Sequence, residues 1–463
     1  MKYISTRGRA EPVDFVDACL AGLAPDGGLY VPEAWPQIEP ARAGESYTDL
    51  AIRIVSAFAG DSISEDSIAD ICEKAYSSFS HGSVAPVRQT SPNRWMVELF
   101  HGPTLAFKDV AMQFIGRFYD HVLAERDERL TVICATSGDT GGAAAAAFAG
   151  SPRVDLVILH PDGRISPVQR KFMTSTGADN VMNAALEGDF DDCQAIVKGL
   201  FADTEFAEEV HLSGVNSINW ARIAAQTVYY AYVQAALGPD RPLRFVVPSG
   251  NMGNGFAGYV AHKCGLLAGF DLICAVNENK SLATMLETGE MKRMPAVETP
   301  SPAMDISVPS NFERLVWDAS HHDAASVRQM YEQYAQSQEA ELPQDAMVEL
   351  ENVLLSARPV SNKATVQEMK KILAETGELI CPHTAVGTSV SRCLRATDAC
   401  TIVVLATAHP AKFPETVKSA TGRDAPLPDR CADIANRPEE FSVLAADQQV
   451  VRDWIRSGKA RGE

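Results

Sequence analysis

From Trp95 onward, short apolar runs alternate with longer helical stretches, and this alternation restricts the chain to few architectures. Runs at 95 to 100, 130 to 135, 154 to 160, 243 to 248, 270 to 276 and 400 to 406 read as buried strands. Between or after them, 105 to 125, 139 to 149, 166 to 176, 215 to 236, 253 to 267 and 383 to 396 read as helices. Strands that are apolar on both faces and separated by helices imply α/β layering with largely parallel sheets. The first 90 or so residues differ, with turn clusters such as Pro25-Asp26-Gly27-Gly28 and helical patterns near 48 to 59 and 65 to 79. Three domains are expected: a mainly helical module at 1–92, a smaller α/β domain at 93–238 and a larger one at 239–463. The polar stretch at about 289–376 reads as a helical insertion or second layer.

Composition bounds the function. A formal net charge of -19 repels nucleic acid and anionic membranes. An anionic ligand must then be held by a local set of cations and backbone amides. The ten cysteines form no CxxC pair and several sit in apolar runs, as in Thr131-Val132-Ile133-Cys134-Ala135, which predicts reduced cysteines and a soluble cytoplasmic protein. No segment has signal-peptide or membrane-span character.

His101-Gly102-Pro103-Thr104-Leu105-Ala106-Phe107-Lys108-Asp109 places a lysine in an apolar turn that opens a helix. Burial and the helix-start dipoles both favour a neutral amine, able to attack a carbonyl and anchor a cofactor. The alternative is a lysine that snorkels out beside Asp109. After the strand at 130 to 135 comes Thr136-Ser137-Gly138-Asp139-Thr140-Gly141-Gly142. It suits a carboxylate at a helix N-terminus, and equally an Asp or Thr N-cap with glycines that close the turn. Pro248-Ser249-Gly250-Asn251-Met252-Gly253-Asn254-Gly255 gathers three glycines and two asparagines before a helix, as a phosphate cradle requires. It is neither a Walker loop nor GxGxxG, which suits the phosphate of a small cofactor.

Thr407 stands at a strand end in Thr407-Ala408-His409-Pro410-Ala411-Lys412-Phe413, placed either to meet a ring nitrogen or to cap the next helix. Asn216-Ser217-Ile218-Asn219-Trp220-Ala221-Arg222 brings hydroxyl, amide and guanidinium groups together for an anionic substrate group. Lys171 is a lesser candidate for that group, on a segment that reads as a solvated helix face. His81, His101, His383 and His409 lie near turns, where they can line a cleft, and only His101 falls inside a defended motif. No metal site is expected: there is no HExxH, and His321-His322-Asp323 lies in polar sequence.

These segments together resemble pyridoxal-phosphate enzymes of the tryptophan-synthase-β fold type, and within them the threonine synthase family in its longer form with an N-terminal domain. The matching segments are DGGLYVP at 26 to 32, LFHGPTLAFKD at 99 to 109, ATSGDTGGAA at 135 to 144, SINW at 217 to 220, VPSGNMGNG at 247 to 255 and ATAHPAKF at 406 to 413. The resemblance implies that the largely parallel sheets are two open ones, and it implies pyridoxal 5'-phosphate as cofactor, with Lys108 as both its Schiff-base lysine and the catalytic base. It implies Ser249, Gly250, Asn251, Met252, Gly253 and Asn254 at the cofactor phosphate. Asp139 then lies where relatives have an asparagine beside the 3-hydroxyl, and Thr407 lies at the ring nitrogen. Ser137 and Thr140 fall near the substrate carboxylate, and Ser217, Asn219 and Arg222 near the substrate phosphate. Met252 departs from the commoner phenylalanine or alanine.

The implied reaction turns O-phospho-L-homoserine and water into L-threonine and phosphate, by loss of phosphate from Cγ and addition of water at Cβ. The implied partner is that small molecule, with the chain a monomer or homodimer. A phospho-lyase giving a keto acid from O-phosphothreonine or O-phosphoserine would share the same loops. A catalytically silent metabolite-binding relative would not need Lys108, Asp139 and Thr407 intact.

Overall fold

The computed structural model describes residues 1–397 and 399–459. Each strand expected from the apolar runs is present: Arg94–Glu98, Leu130–Ala135, Val154–Pro161, Leu243–Pro248, Leu272–Val276 and Thr401–Ala406. They divide between two sheets. One is six-stranded, in the order 355–359, 272–276, 243–248, 401–406, 94–98, 87–91, and parallel except for its last pair. The other is five-stranded and wholly parallel, in the order 442–445, 181–187, 154–161, 130–135, 212–214.

The sheets cut across the expected division at 93 and 239. Arg94–Glu98, read as the start of the smaller domain, pairs with Thr401–Ala406 of the six-stranded sheet. Ser442–Ala445, from the C-terminal part, pairs with Val181–Glu187 of the five-stranded sheet. The stretch 289–376 is likewise more than an inserted helical layer, because its Leu355–Pro359 strand extends the six-stranded sheet. Val181–Glu187, Leu355–Pro359 and Ser442–Ala445 escape the apolar-run criterion for a physical reason. The last two are edge strands with one neighbour and partly exposed faces, and the first reads Val-Met-Asn-Ala-Ala-Leu-Glu with an asparagine inside it.

The N-terminal module holds a short antiparallel pair, Tyr3–Ser5 with Tyr30–Pro32, and the helices Phe15–Ala21, Tyr47–Ala59 and Glu65–Tyr76. Asp14, Ser46 and Ser64 cap these helices. Their apolar faces join the central core, where the Phe58 and Trp220 rings meet edge-on at 5.7 Å. Helix Trp220–Leu237 is buried nearly all round, so its sequence has no polar face. No helix among the described residues is long and apolar enough to cross a membrane.

The arrangement places one cavity at the carboxyl ends of strands from both sheets, where loops and helix starts supply unpaired backbone groups. Leu130–Ala135 leads into 136–140, Leu243–Pro248 into 249–254, and Thr401–Ala406 into Thr407. The segment after Arg94–Glu98 brings Lys108 to the same place.

Candidate active site

Lys108 is the first residue of helix Lys108–Arg126 and lines a cavity of about 390 Å³. Its turn is stitched to the 407–409 loop: Phe107 N donates to Thr407 O at 2.8 Å and His409 N to Leu105 O at 3.0 Å, with Leu105 at φ 63°. Asp109 does not draw the lysine outward. Its carboxylate is fully buried and accepts from Thr104 N at 2.8 Å and Thr104 Oγ1 at 2.6 Å. Burial lowers the Lys108 pKa, and the Arg222 and Lys412 cations add to that against the opposing pull of Asp139.

The loop at 136–142 resolves its two readings. The N-cap of helix Asp139–Phe148 is Gly138, at φ 126°, with no side-chain cap bond. A Cβ there would lie 2.8 Å from the Gln169 side chain, so glycine is required. Thr136 Oγ1 accepts from Gly138 N and Gly141 N, both at 2.9 Å, so those amides are taken up inside the loop. Ser137 and Thr140 line the cavity. Asp139 Oδ1 meets Lys412 Nζ at 2.9 Å and Gln169 Nε2 at 3.0 Å, while Oδ2 meets Lys108 Nζ at 3.5 Å. Burial alone would raise this carboxyl, but Lys412, Lys108 and His383 outweigh it and hold Asp139 well below the usual carboxylate range.

Ser249, Gly250, Asn251, Met252, Gly253 and Asn254 all line the cavity ahead of helix Gly253–Lys263. Met252 is the N-cap residue, at φ 60° and ψ 5°. A Cβ on Gly250 would come within 2.6 Å of Ala303 O. Among the described residues, no acceptor takes the backbone N–H of Gly250, Asn251 or Met252. Asn254 Oδ1 accepts from Tyr229 Oη at 2.5 Å and Tyr230 Oη at 3.0 Å, which aims its unpartnered Nδ2 elsewhere.

Asn216, Ser217, Ile218 and Arg222 line the same cavity, whereas Asn219 does not. Asn219 is fully buried as the N-cap of helix Trp220–Leu237, accepting from Ala221 N at 3.0 Å and donating to Cys19 O at 2.7 Å. It is thus a capping residue that ties the N-terminal module to this helix, and the substrate-binding expectation for it is withdrawn. Arg222 is buried, with Nη1 on Val215 O at 3.2 Å and Nε unpartnered; burial pushes its pKa down to about 10. Thr407 lines the cavity and caps nothing, since His409 Nδ1 takes Ala411 N at 3.2 Å at the start of the next turn.

Lys171 turns away to Arg437 O at 2.7 Å. His101 pairs with Glu98 at 2.9 Å and does not line the cavity. His322 stacks on Trp317 at 3.9 Å between ring centroids. No group of three or more His, Cys, Asp or Glu among the described residues is arranged to hold a metal ion.

His383, read among the turn histidines as able to line a cleft, does line the cavity and acts on Asp139. Three contributions escape the sequence reading: Gln169 and Lys412 reach Asp139, and the 302–310 segment closes one wall with Ala303, Met304 and Ser310. Of these, Lys412 alone carried a signal: like Lys108, it is a lysine between apolar neighbours, Ala411 and Phe413.

Three family models cover most of the chain: "Threonine synthase N terminus" at residues 2–76, "Pyridoxal-phosphate dependent enzyme" at 95–408 and "Threonine synthase, C-terminal" at 384–455. Threonine synthase of Pseudomonas aeruginosa is 42% identical over 100% of both chains. The chain belongs to the threonine synthase family.

Two solved threonine synthases share its fold over 99% of each chain. The pyridoxal-phosphate-bound Brucella melitensis protein gives a TM-score of 0.94 at 46% identity, and the yeast protein 0.92 at 34%. This member of the threonine synthase family is thus a pyridoxal-phosphate-dependent enzyme of fold type II. Its cavity fits that cofactor: it joins a buried amine to a loop of free amides in which Gly250 admits no side chain, beside the unpartnered Asn254 Nδ2.

Proposed function

We propose that the chain converts O-phospho-L-homoserine and water to L-threonine and inorganic phosphate, with pyridoxal 5'-phosphate attached at Lys108. The observation that carries this reading is one cavity that holds a buried amine, a glycine-asparagine anion loop and, on a different helix, a buried arginine with an unpartnered Nε. Two separate anion sites beside one amine suit a phosphorylated cofactor and a phosphorylated substrate.

Once bound, the cofactor supplies an electron sink for negative charge at the substrate Cα. The amides of Gly250, Asn251 and Met252, with Asn254 Nδ2, would hold its phosphate, with Ser249 and Gly253 shaping the loop and Thr407 offering a hydroxyl to its ring nitrogen. Asp139 sits beside Lys108 and governs its charge. Ser137 and Thr140 offer hydroxyls to the substrate carboxylate. Ser217 and Arg222 hold the substrate phosphate, Arg222 through a guanidinium already stripped of water. Lys108 Nζ takes the Cα proton, a role favoured by the burial that lowers its pKa and shifts it toward the free amine.

The net charge of -19 and ten unpaired cysteines support a cytoplasmic enzyme that acts on small molecules and not on nucleic acid, and the family resemblance implies a monomer or homodimer. Incubation with O-phospho-L-homoserine should yield threonine and phosphate in equal amounts. Keto acid and ammonia without threonine would overturn the assignment in favour of a phospho-lyase.

A further inference from the structure

The two oxygens of Asp139 have different partners, and the stronger set belongs to a lysine outside the cavity. Lys412 is fully buried and does not line the cavity, yet its Nζ lies 2.9 Å from Asp139 Oδ1. The same ammonium donates to Thr104 O at 2.7 Å and lies 5.2 Å from the centre of the Phe172 ring. Its backbone is held too, because Ser166 Oγ donates to Lys412 O at 2.8 Å, at the start of the helix that carries Gln169. Lys412 therefore joins the turn before Lys108, the start of the Asp139 helix and the Gln169 helix. Water cannot replace it at 0% exposure.

Lys108 and Lys412 are two buried ammonium groups on one carboxylate, Asp139, and the buried Arg222 adds a further positive charge near Lys108. Asp109, the other nearby acid, is spent on Thr104. A single carboxylate compensates one ammonium in a dry site, and geometry selects Lys412: 2.9 Å against 3.5 Å for Lys108, with a second acceptor in place. We propose that Lys412 is a positioning residue for Lys108: it neutralises and orients Asp139, so that Lys108 is left as the uncharged amine needed for cofactor attachment and proton transfer. The proposal rests on the reading of Lys108 given above.

The other titratable groups facing this cluster are His383 and Cys381, at the start of helix Pro382–Arg392, and Cys134 at the end of strand Leu130–Ala135. Removing the Lys412 charge turns the whole Asp139 carboxylate toward Lys108 and favours its protonated form, which moves the requirement for free amine to higher pH.

The test uses holoenzyme carrying K412M, K412R, D139N and D139N/K412M. It reads the pH titration of the bound cofactor's visible absorbance beside the pH profile of kcat/KM. In K412M both should move upward by about one pH unit or more, with kcat reduced at least tenfold and KM little changed. K412R should restore the wild-type position, and in the D139N background the loss of Lys412 should move it less than half as far. An unmoved titration in K412M, or an equal shift with and without Asp139, would overturn the proposal. If K412M does not fold, D139N/K412M compared with D139N decides it: a difference under about half a pH unit is expected, and a shift of about one unit or more without Asp139 would overturn the proposal. A wild-type protein that forms no threonine yet shows the Lys412-dependent titration would remove the reaction assignment and leave the role of Lys412 standing.

Discussion

Arg314 donates to the carbonyl of Tyr30 through both Nε, at 3.1 Å, and Nη2, at 2.9 Å. The same guanidinium reaches Ile218 O and Asn311 Oδ1, both at 2.6 Å, and Asn311 Nδ2 passes the link on to Ser217 O and Asn251 O at 3.1 Å. One buried arginine thus ties the N-terminal strand pair to both anion-holding loops. It sits in the 289–376 stretch, whose role sequence patterning left open. Replacing it with methionine strands two buried acceptors, Tyr30 O and Asn311 Oδ1, and the partly buried Ile218 O, each buried one worth about 1–3 kcal/mol. Arg314→Met should lower unfolding free energy by at least about 2 kcal/mol in urea titrations and raise KM for O-phospho-L-homoserine. Unchanged values of both would show that the N-terminal module does not support the loops.

Lys108→Ala should abolish turnover and the visible absorbance of the bound cofactor together. The amine is the cavity's buried nucleophile, and no described neighbour replaces it: Lys412 is held by Asp139 and Thr104. Substantial threonine formation by this variant would refute the assigned role.

For Arg222 the expected defect is confined to substrate. Its unpartnered Nε lies in the cavity wall, apart from the 249–254 loop in sequence and on a different helix. Arg222→Ala should raise KM for O-phospho-L-homoserine by at least tenfold, about the 1.4 kcal/mol scale of one charge-assisted hydrogen bond. Cofactor affinity, measured by absorbance titration of the apoprotein, should change much less.

Asn219 and Ser217 should separate cleanly. Asn219→Ala removes an N-cap, worth about 1 kcal/mol, and leaves Cys19 O with one donor, Tyr119 Oη, where it had two. Its effect should appear in thermal unfolding, with KM close to wild type. Ser217→Ala should do the reverse, raising KM with little loss of stability.

Acid should destabilise the fold through His383. Burial pushes this imidazole down to about 4, beyond what Asp139 restores, with Lys108 and Lys412 adding to the fall. Above the unfolded pKa near 6.5 both states are neutral and the group contributes nothing. Between there and about 4 the unfolded chain binds the extra proton, so stability falls as pH falls, by up to about 3 kcal/mol. Urea midpoints measured from pH 7 to pH 4 should show this slope, and His383→Gln should flatten part of it.

Much of this molecule is legible along the chain because local physics decides it. Strands buried on both faces must be apolar, helices start where capping groups sit, and loops that leave amides free need glycine. These rules place the central strands of the two largely parallel sheets, the 249–254 loop and Lys108 directly in the sequence. The alternatives left open at Asp109, Asp139 and Thr407 are different, since each turns on where a side chain points. Only the packed structure shows Asp109 spent on Thr104, Asp139 facing lysines instead of capping its helix, and Thr407 left free by His409.

Tertiary structure alone also removes Asn219 from the cavity and brings Lys412, Gln169 and His383 toward Asp139 from positions 30 to 273 residues away. Sequence patterns report periodicity and local turns, both fixed by neighbours on the chain. The charge state of a buried lysine depends on the distances to other buried charges, and those exist only once the sheets, the N-terminal module and the 289–376 stretch have packed around one cavity.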